Sequence, residues 1–168
     1  WEKEVAAADA AAATVYARFE GRTPAALAGD PAAMEIAGRL FGNNCATCHG
    51  ADARGAPGFP NLTDGDWLHG GTPEVIHATI ANGRIGVMPP WGEMLGPQGV
   101  EQVVAYVQSL SGQSSDAALA AAGKDRFMQI CAACHGPDGR GQQALGAPNL
   151  TDNIWLYGGS ADAIRTTI

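Results

Sequence analysis

The sequence predicts an all-α protein built as two tandem units of one template. Three observations carry that reading. Apolar residues recur at helical spacing, as in Val100, Val103, Val104, Val107 and Leu110, and no stretch alternates like a strand. Helix-opening signals precede such stripes, as at Asp30-Pro31 and Thr72-Pro73-Glu74. Short strings also recur in the same order along the chain, which is the signature of tandem domains rather than of a solenoid of short repeats.

The elements follow in order. Residues 1–19 are alanine-rich and read as helix. Asp30 caps and Pro31 opens a helix over residues 32–41, with Ile36 and Leu40 on one face, ending near Gly42-Asn43. Residues 50–61 are rich in Gly and Pro and read as loop. Thr72-Pro73-Glu74 starts a second helix that runs to about Ala81 and stops at Asn82-Gly83. The valine stripe marks a third helix ending at Ser111-Gly112. Residues 111–115 form a short polar linker, after which residues 116–128 repeat the first helix of the unit.

The repeat sets the domain organisation. Asn61-Leu62-Thr63-Asp64 returns as Asn149-Leu150-Thr151-Asp152, and Trp67-Leu68-His69-Gly70-Gly71 as Trp155-Leu156-Tyr157-Gly158-Gly159. These strings lie 88 residues apart, whereas the cysteine pairs lie 86 apart, so the second copy carries two extra residues in between. The division expected is an N-terminal helical segment, 1–29, a first domain, 30–112, and a second domain, 113–168. Each unit is too small to bury a large core from its own side chains.

The chemistry lies in a pentapeptide present twice, Cys45-Ala46-Thr47-Cys48-His49 and Cys131-Ala132-Ala133-Cys134-His135. One helical turn brings two thiols to one side, where they can add across the two vinyl groups of a porphyrin. The histidine that follows is then placed to put an imidazole nitrogen on the iron. Each copy thus predicts one covalently held c-type haem. Zinc would need four closed ligands, forcing both pairs onto one ion and leaving the two histidines unexplained. A redox dithiol expects a βαβ setting, which neither copy has. The two motifs use all four cysteines, so none remains for a structural disulfide.

Thioether attachment needs reduced thiols presented outside the cytoplasm, so an exported compartment is expected. The chain opens on Trp1, which reads as a processed or trimmed start, and no apolar run is long enough to span a bilayer. Any membrane anchor is expected upstream of Trp1.

The order helix, Cys-x-x-Cys-His, Gly-Pro loop, helix, methionine loop, terminal helix resembles class I cytochrome c over residues 31–112. A closer resemblance is to the dihaem cytochrome c subunit of cbb3-type cytochrome c oxidases. It rests on Asp52-Ala53-Arg54-Gly55, Phe59-Pro60-Asn61-Leu62-Thr63-Asp64, Trp67-Leu68, Val87-Met88-Pro89-Pro90-Trp91 and Asn153-Ile154-Trp155-Leu156-Tyr157-Gly158-Gly159, and it covers nearly the whole chain.

The resemblance implies a methionine thioether as sixth iron ligand, and Met88 fits, inside a Gly-Pro loop rather than on a helix face. A soft sulfur raises the reduction potential and fills the last coordination position. It also implies that a proline carbonyl holds the other nitrogen of each proximal histidine, Pro60 for His49 and Pro148 for His135. Met34, Met94 and Met128 read as packing residues. His69 and His77 correspond to Tyr157 and Arg165 in the second copy and read as surface or rim residues rather than ligands. Arg84, Trp67, Trp91 and Trp155 are open between the haem edge and ordinary packing. Counted by the repeat, a second sixth-ligand methionine would fall at position 176, so the second domain is expected to be incomplete over residues 113–168.

The formal net charge of −7 lacks the basic patch that nucleic-acid binding requires and suits either solubility or steering of a basic electron donor. The function implied is a non-catalytic electron-transfer subunit. It would pass single electrons through two haems to the oxygen-reducing subunit of a terminal oxidase, on the periplasmic side of the bacterial inner membrane. Its partners would be the other oxidase subunits and a soluble or membrane-anchored cytochrome c donor. A free dihaem shuttle and a dihaem peroxidase are the alternatives.

Overall fold

The computed structural model describes all of residues 1–168 and is helical, with only two isolated β-bridges, Ala56 with Phe59 and Gln142 with Ala147. The helices are α1 (Glu2–Tyr16, continued by a 3-10 turn, Ala17–Phe19), α2 (Pro24–Ala28), α3 (Pro31–Asn44), α4 (Ala46–His49), α5 (Pro73–Asn82), α6 (Gly92–Leu110), α7 (Ala117–Arg126, continued by a π turn, Phe127–Cys131), α8 (Ala132–His135) and α9 (Ala161–Thr167). The all-α expectation holds.

Side-chain caps fix where these helices begin. Asp30 Oδ1 accepts the N–H groups of Ala32 and Ala33 at 3.0 and 3.3 Å, and Asp116 Oδ1 does the same for Ala118 and Leu119 at 2.9 Å each. Thr23, Thr72 and Ser160 each accept from the amide three residues on. Two of these helices, α2 and α9, go beyond the sequence expectations. Both carried a readable signal: Thr23-Pro24 is a cap followed by proline, and Ser160 stands 88 residues after Thr72. Helix α6 is broken at Gly96 (φ 64°, ψ 168°), directly before Pro97, so its first turn stands off from the rod that follows.

That rod organises the core. Leu95, Val100, Val103, Val104 and Val107 are buried against Phe127 and Ile164. The Tyr106 and Phe127 rings meet at 5.2 Å between centroids. Polar contacts surround this seam: Arg126 Nε donates to Gln102 Oε1 at 2.6 Å, and Arg165 grips both carboxylate oxygens of Glu101 at 2.6 and 2.9 Å. The Trp91 N–H donates to the Ile168 carbonyl at 2.6 Å.

In sequence order α6 is the closing helix of the first unit, yet it packs on α7 and α9 of the second. Glycine explains the choice. A Cβ added at Gly123 would lie 1.9 Å from the Gln102 carbonyl oxygen, so α6 and α7 touch backbone to backbone. Phe127 and Phe41 both stand four residues before their first cysteine, but eight residues before it α7 has Gly123 where α3 has Ala37. No residue of α3 is buried. No helix of the chain is long and apolar enough to cross a membrane.

Candidate functional site

Each pentapeptide occupies one helical turn. Cys48 and His49 both donate backbone N–H groups to the Cys45 carbonyl, at 3.1 and 3.0 Å, which places the two thiols one turn apart. Gly50 and Gly136 then end the turns with φ of 81° and 78°, conformations that suit glycine, and send the chain into the Gly-Pro loops. The histidine backbone is tied to these loops as well: Gly55 donates to the His49 carbonyl at 2.8 Å and Gly141 to that of His135 at 2.7 Å.

The loops return to the ring. His49 Nδ1–H donates to the Pro60 carbonyl at 3.0 Å, and His135 Nδ1–H to the Pro148 carbonyl at 3.1 Å. With Nδ1 committed as donor, Nε2 keeps a free lone pair, the arrangement a metal-ligating imidazole needs. The Asn-Leu-Thr-Asp strings brace the loops. Asn61 Oδ1 accepts from Thr63 N–H and Oγ1 at 2.8 Å each, Asn149 Oδ1 makes the same pair with Thr151, and Asn149 adds a bond to Asp152 at 2.7 Å.

The Trp-Leu-x-Gly-Gly strings resolve by sterics. A Cβ at Gly71 would fall 2.5 Å from the Trp67 ring, and one at Gly159 would fall 2.7 Å from the Trp155 ring. Each indole lies on its second glycine. Trp67 and Trp155 thus pack on their own loops, and Trp91 and Trp155 also border the core around α6.

The four thiols are unpaired. No set of three or more Cys, His, Asp and Glu converges on one point, so the two pairs do not form a shared four-ligand zinc site. Burial pushes the Cys131 thiol up, with the neighbouring Cys134 adding to the effect. That is the opposite of the lowered thiol pKa that drives dithiol exchange.

An apolar group of porphyrin size fits this chain. Only 14 of 168 residues are buried, and Leu40, Phe59, Leu68, Ile80, Ile85 and Val87 of the first unit are exposed apolar side chains with no protein core to join. Leu145 and Ile154 play the same part in the second unit.

Met88 and Arg84 are both exposed. Met88 lies in the irregular segment 83–91, is 42% exposed, and takes no part in the core. Arg84 turns back to its own helix, donating to Thr79 Oγ1 at 3.1 Å. Met34, Met94 and Met128 are all exposed, and beside the last two, Leu95 and Phe127 take the buried positions. His77 is exposed, as a surface residue should be. His69 is partly exposed, as a rim residue should be, but it also makes a contact between the units. Its ring lies against Gly146 of the second unit, and its Nδ1 is buried with no hydrogen-bond partner. Only the two-residue insertion near Gln143 hinted that the units meet there.

Comparison with known proteins agrees with this geometry. The family model described as cytochrome c oxidase, cbb3-type, subunit III matches residues 32–107, and the cytochrome c model matches residues 120–168. The chain is 56% identical over 156 residues to the cbb3-type cytochrome c oxidase subunit CcoP of Rubrivivax gelatinosus, covering 92% of this chain and 51% of that protein. It is 41% identical to the CcoP subunit of Cereibacter sphaeroides, over 99% of this chain and 63% of the relative. With the FixPc subunit of Rhizobium leguminosarum bv. viciae it shares 44% identity, over 94% and 59%. The chain thus spans between half and two thirds of the length of these relatives.

Proposed function

This chain belongs to the family of cbb3-type cytochrome c oxidase cytochrome c subunits, tandem cytochrome c domains with covalent c-type haem, and from that premise we propose that it relays single electrons to an oxygen-reducing partner subunit. The observation that carries the proposal is the pair of histidines, each directly after a cysteine pair on one helical turn, with Nδ1 held by a proline carbonyl and Nε2 free.

Two haems are proposed, one per unit, with residues 30–112 and 113–168 as the two domains and residues 1–29 as a helical lead-in. Cys45 and Cys48 would hold the first through thioethers, with His49 as proximal ligand and Met88 as sixth ligand. Cys131, Cys134 and His135 would hold the second. Bound c-type haem supplies a one-electron ferric/ferrous couple. The chain's own part is to fix two imidazoles, shield the irons from reactive ligands and hold the two units in register. The acidic surface, net charge −7, suits a basic cytochrome c donor. The proposed place is the periplasmic side of the bacterial inner membrane, against the other oxidase subunits.

Intact mass with a reduced absorption spectrum tests the haem count. Two haems per chain are expected; a mass equal to bare peptide overturns the proposal. Met88→Ala tests the sixth ligand. It should lower the midpoint potential of one haem and open that iron to carbon monoxide while leaving the other unchanged. Two unaltered potentials would remove Met88 from the ligand set.

A further inference from the structure

The two units meet through the loops that hold the axial histidines, and the contact is reciprocal. In one direction, a Cβ added at Gly146 would fall 2.3 Å from His69 Cε1, so the imidazole sits where only glycine leaves room. In the other, Tyr157 Cε1 lies 3.9 Å from the place of a Cβ on Gly58, and the Gly58 N–H donates to the Leu156 carbonyl at 2.9 Å. Gly58 and Gly146 are equivalent positions 88 residues apart, and so are His69 and Tyr157. The interface therefore pairs one patch with its own repeat, as in an isologous dimer.

The two-residue insertion of the second copy breaks the symmetry and strengthens the contact. It brings Gln143, which has no counterpart in the first copy, to donate from Nε2 to the Trp67 carbonyl at 3.0 Å. Each contact glycine stands two residues before the proline whose carbonyl holds a histidine: Gly58 before Pro60, and Gly146 before Pro148. The contact between the units thus lies two residues from each carbonyl that holds an imidazole.

We propose that His69, with Tyr157 as its counterpart, is a positioning residue that sets the separation and mutual orientation of the two haem units, and thereby the passage of an electron between them. This rests on the electron-relay reading above. Neither residue need touch a haem for this role; each holds one loop against the other unit.

The test uses the full haem-loaded chain, with iron–iron distances from pulsed electron paramagnetic resonance and amide exchange at Gly58. His69→Ala should broaden the distance distribution and speed Gly58 exchange roughly three- to tenfold, the effect of one lost ring contact. Each haem's own midpoint potential should stay unchanged. His69→Phe keeps the ring without the nitrogens and should behave as wild type. Gln143→Ala, an exposed position, should act in the same direction more weakly. Distances and exchange unchanged in His69→Ala would overturn the proposal, as would His69→Phe being as disruptive as His69→Ala. A preparation lacking two haems would instead count against the relay reading, and Gly58 exchange would still report on the contact.

Discussion

The two cytochrome c units share a template, matching caps and near-identical histidine geometry, yet they differ in how they are closed. Helices α3, α4 and α5 of the first unit bury no residue. The second buries Ala120, Gly123, Phe127 and Ile164, and its His135 is 8% exposed whereas His49 is more open. The cause is one helix, α6, which docks on the second unit. The comparison teaches that the allegiance of a helix follows the surface that accepts it rather than its place in the repeat. Gly123 offers α6 a bare backbone; Ala37 does not.

Breaking the closed unit should cost far more than breaking the open one. Phe127 is fully buried and its counterpart Phe41 is only half-buried. Phe127→Ala should lower stability by about 3–5 kcal/mol, and Phe41→Ala by clearly less, as read from thermal or denaturant unfolding. Equal losses would mean that α6 closes both units alike.

Glycine substitutions sharpen the same contrast and should differ in sign. Gly123→Ala puts a methyl into the Gln102 carbonyl, so α6 must lift away, at a cost of roughly 1–3 kcal/mol. Gly38 of α3 has nothing within 4 Å of a Cβ. Gly38→Ala should therefore stabilise by up to about 1 kcal/mol through helix propensity. Unfolding of the two variants side by side checks this.

A smaller contrast lies in the Asp-x-Arg-Gly loops. Ala53 is held at φ 60°, where its counterpart Gly139 sits at 73°. Leu110 of α6 comes within 2.8 Å of where a Cβ on Gly139 would be. Ala53→Gly should relieve left-handed strain and be neutral to stabilising, within about 1 kcal/mol. Gly139→Ala should destabilise by about that amount or somewhat more. Chemical denaturation of the pair measures the difference.

The smallest effect is expected from acid. Arg165 holds the Glu101 carboxyl below the usual carboxylate range, chiefly by direct hydrogen bonding. A lowered folded-state pKa means that the contribution is complete above the unfolded-state value and is lost as pH falls through the folded one. Wild type should therefore lose more stability than Glu101→Gln from roughly pH 5 downward, measured as melting temperature against pH. Parallel curves would show that the pair does not fasten α6 to α9.

Much of this protein was legible in its residues. Cap-plus-proline pairs located α3 and α5, the valine stripe located α6, and the pentapeptide repeat pointed to His49 and His135, while the family resemblance pointed to the prolines whose carbonyls hold them. These signals are local: a helix start or a Cys-x-x-Cys-His turn is decided within a few residues, where side chain and backbone satisfy each other. The contact of His69 with Gly146 and the exposure of Met34, Met94 and Met128 were not legible. Those depend on which surfaces come together, and an exposed methionine reads in sequence like a buried one.

By itself, the sequence determined the helical class, the duplication, and the histidine and thiol spacing. Tertiary structure alone decided that α6 leaves its own repeat for the next, and that two equivalent loops face each other across a glycine and an imidazole. The reason is physical. Local hydrogen bonds are written into neighbouring residues, whereas the choice among competing apolar docking faces turns on backbone approach distances that exist only once the helices are packed.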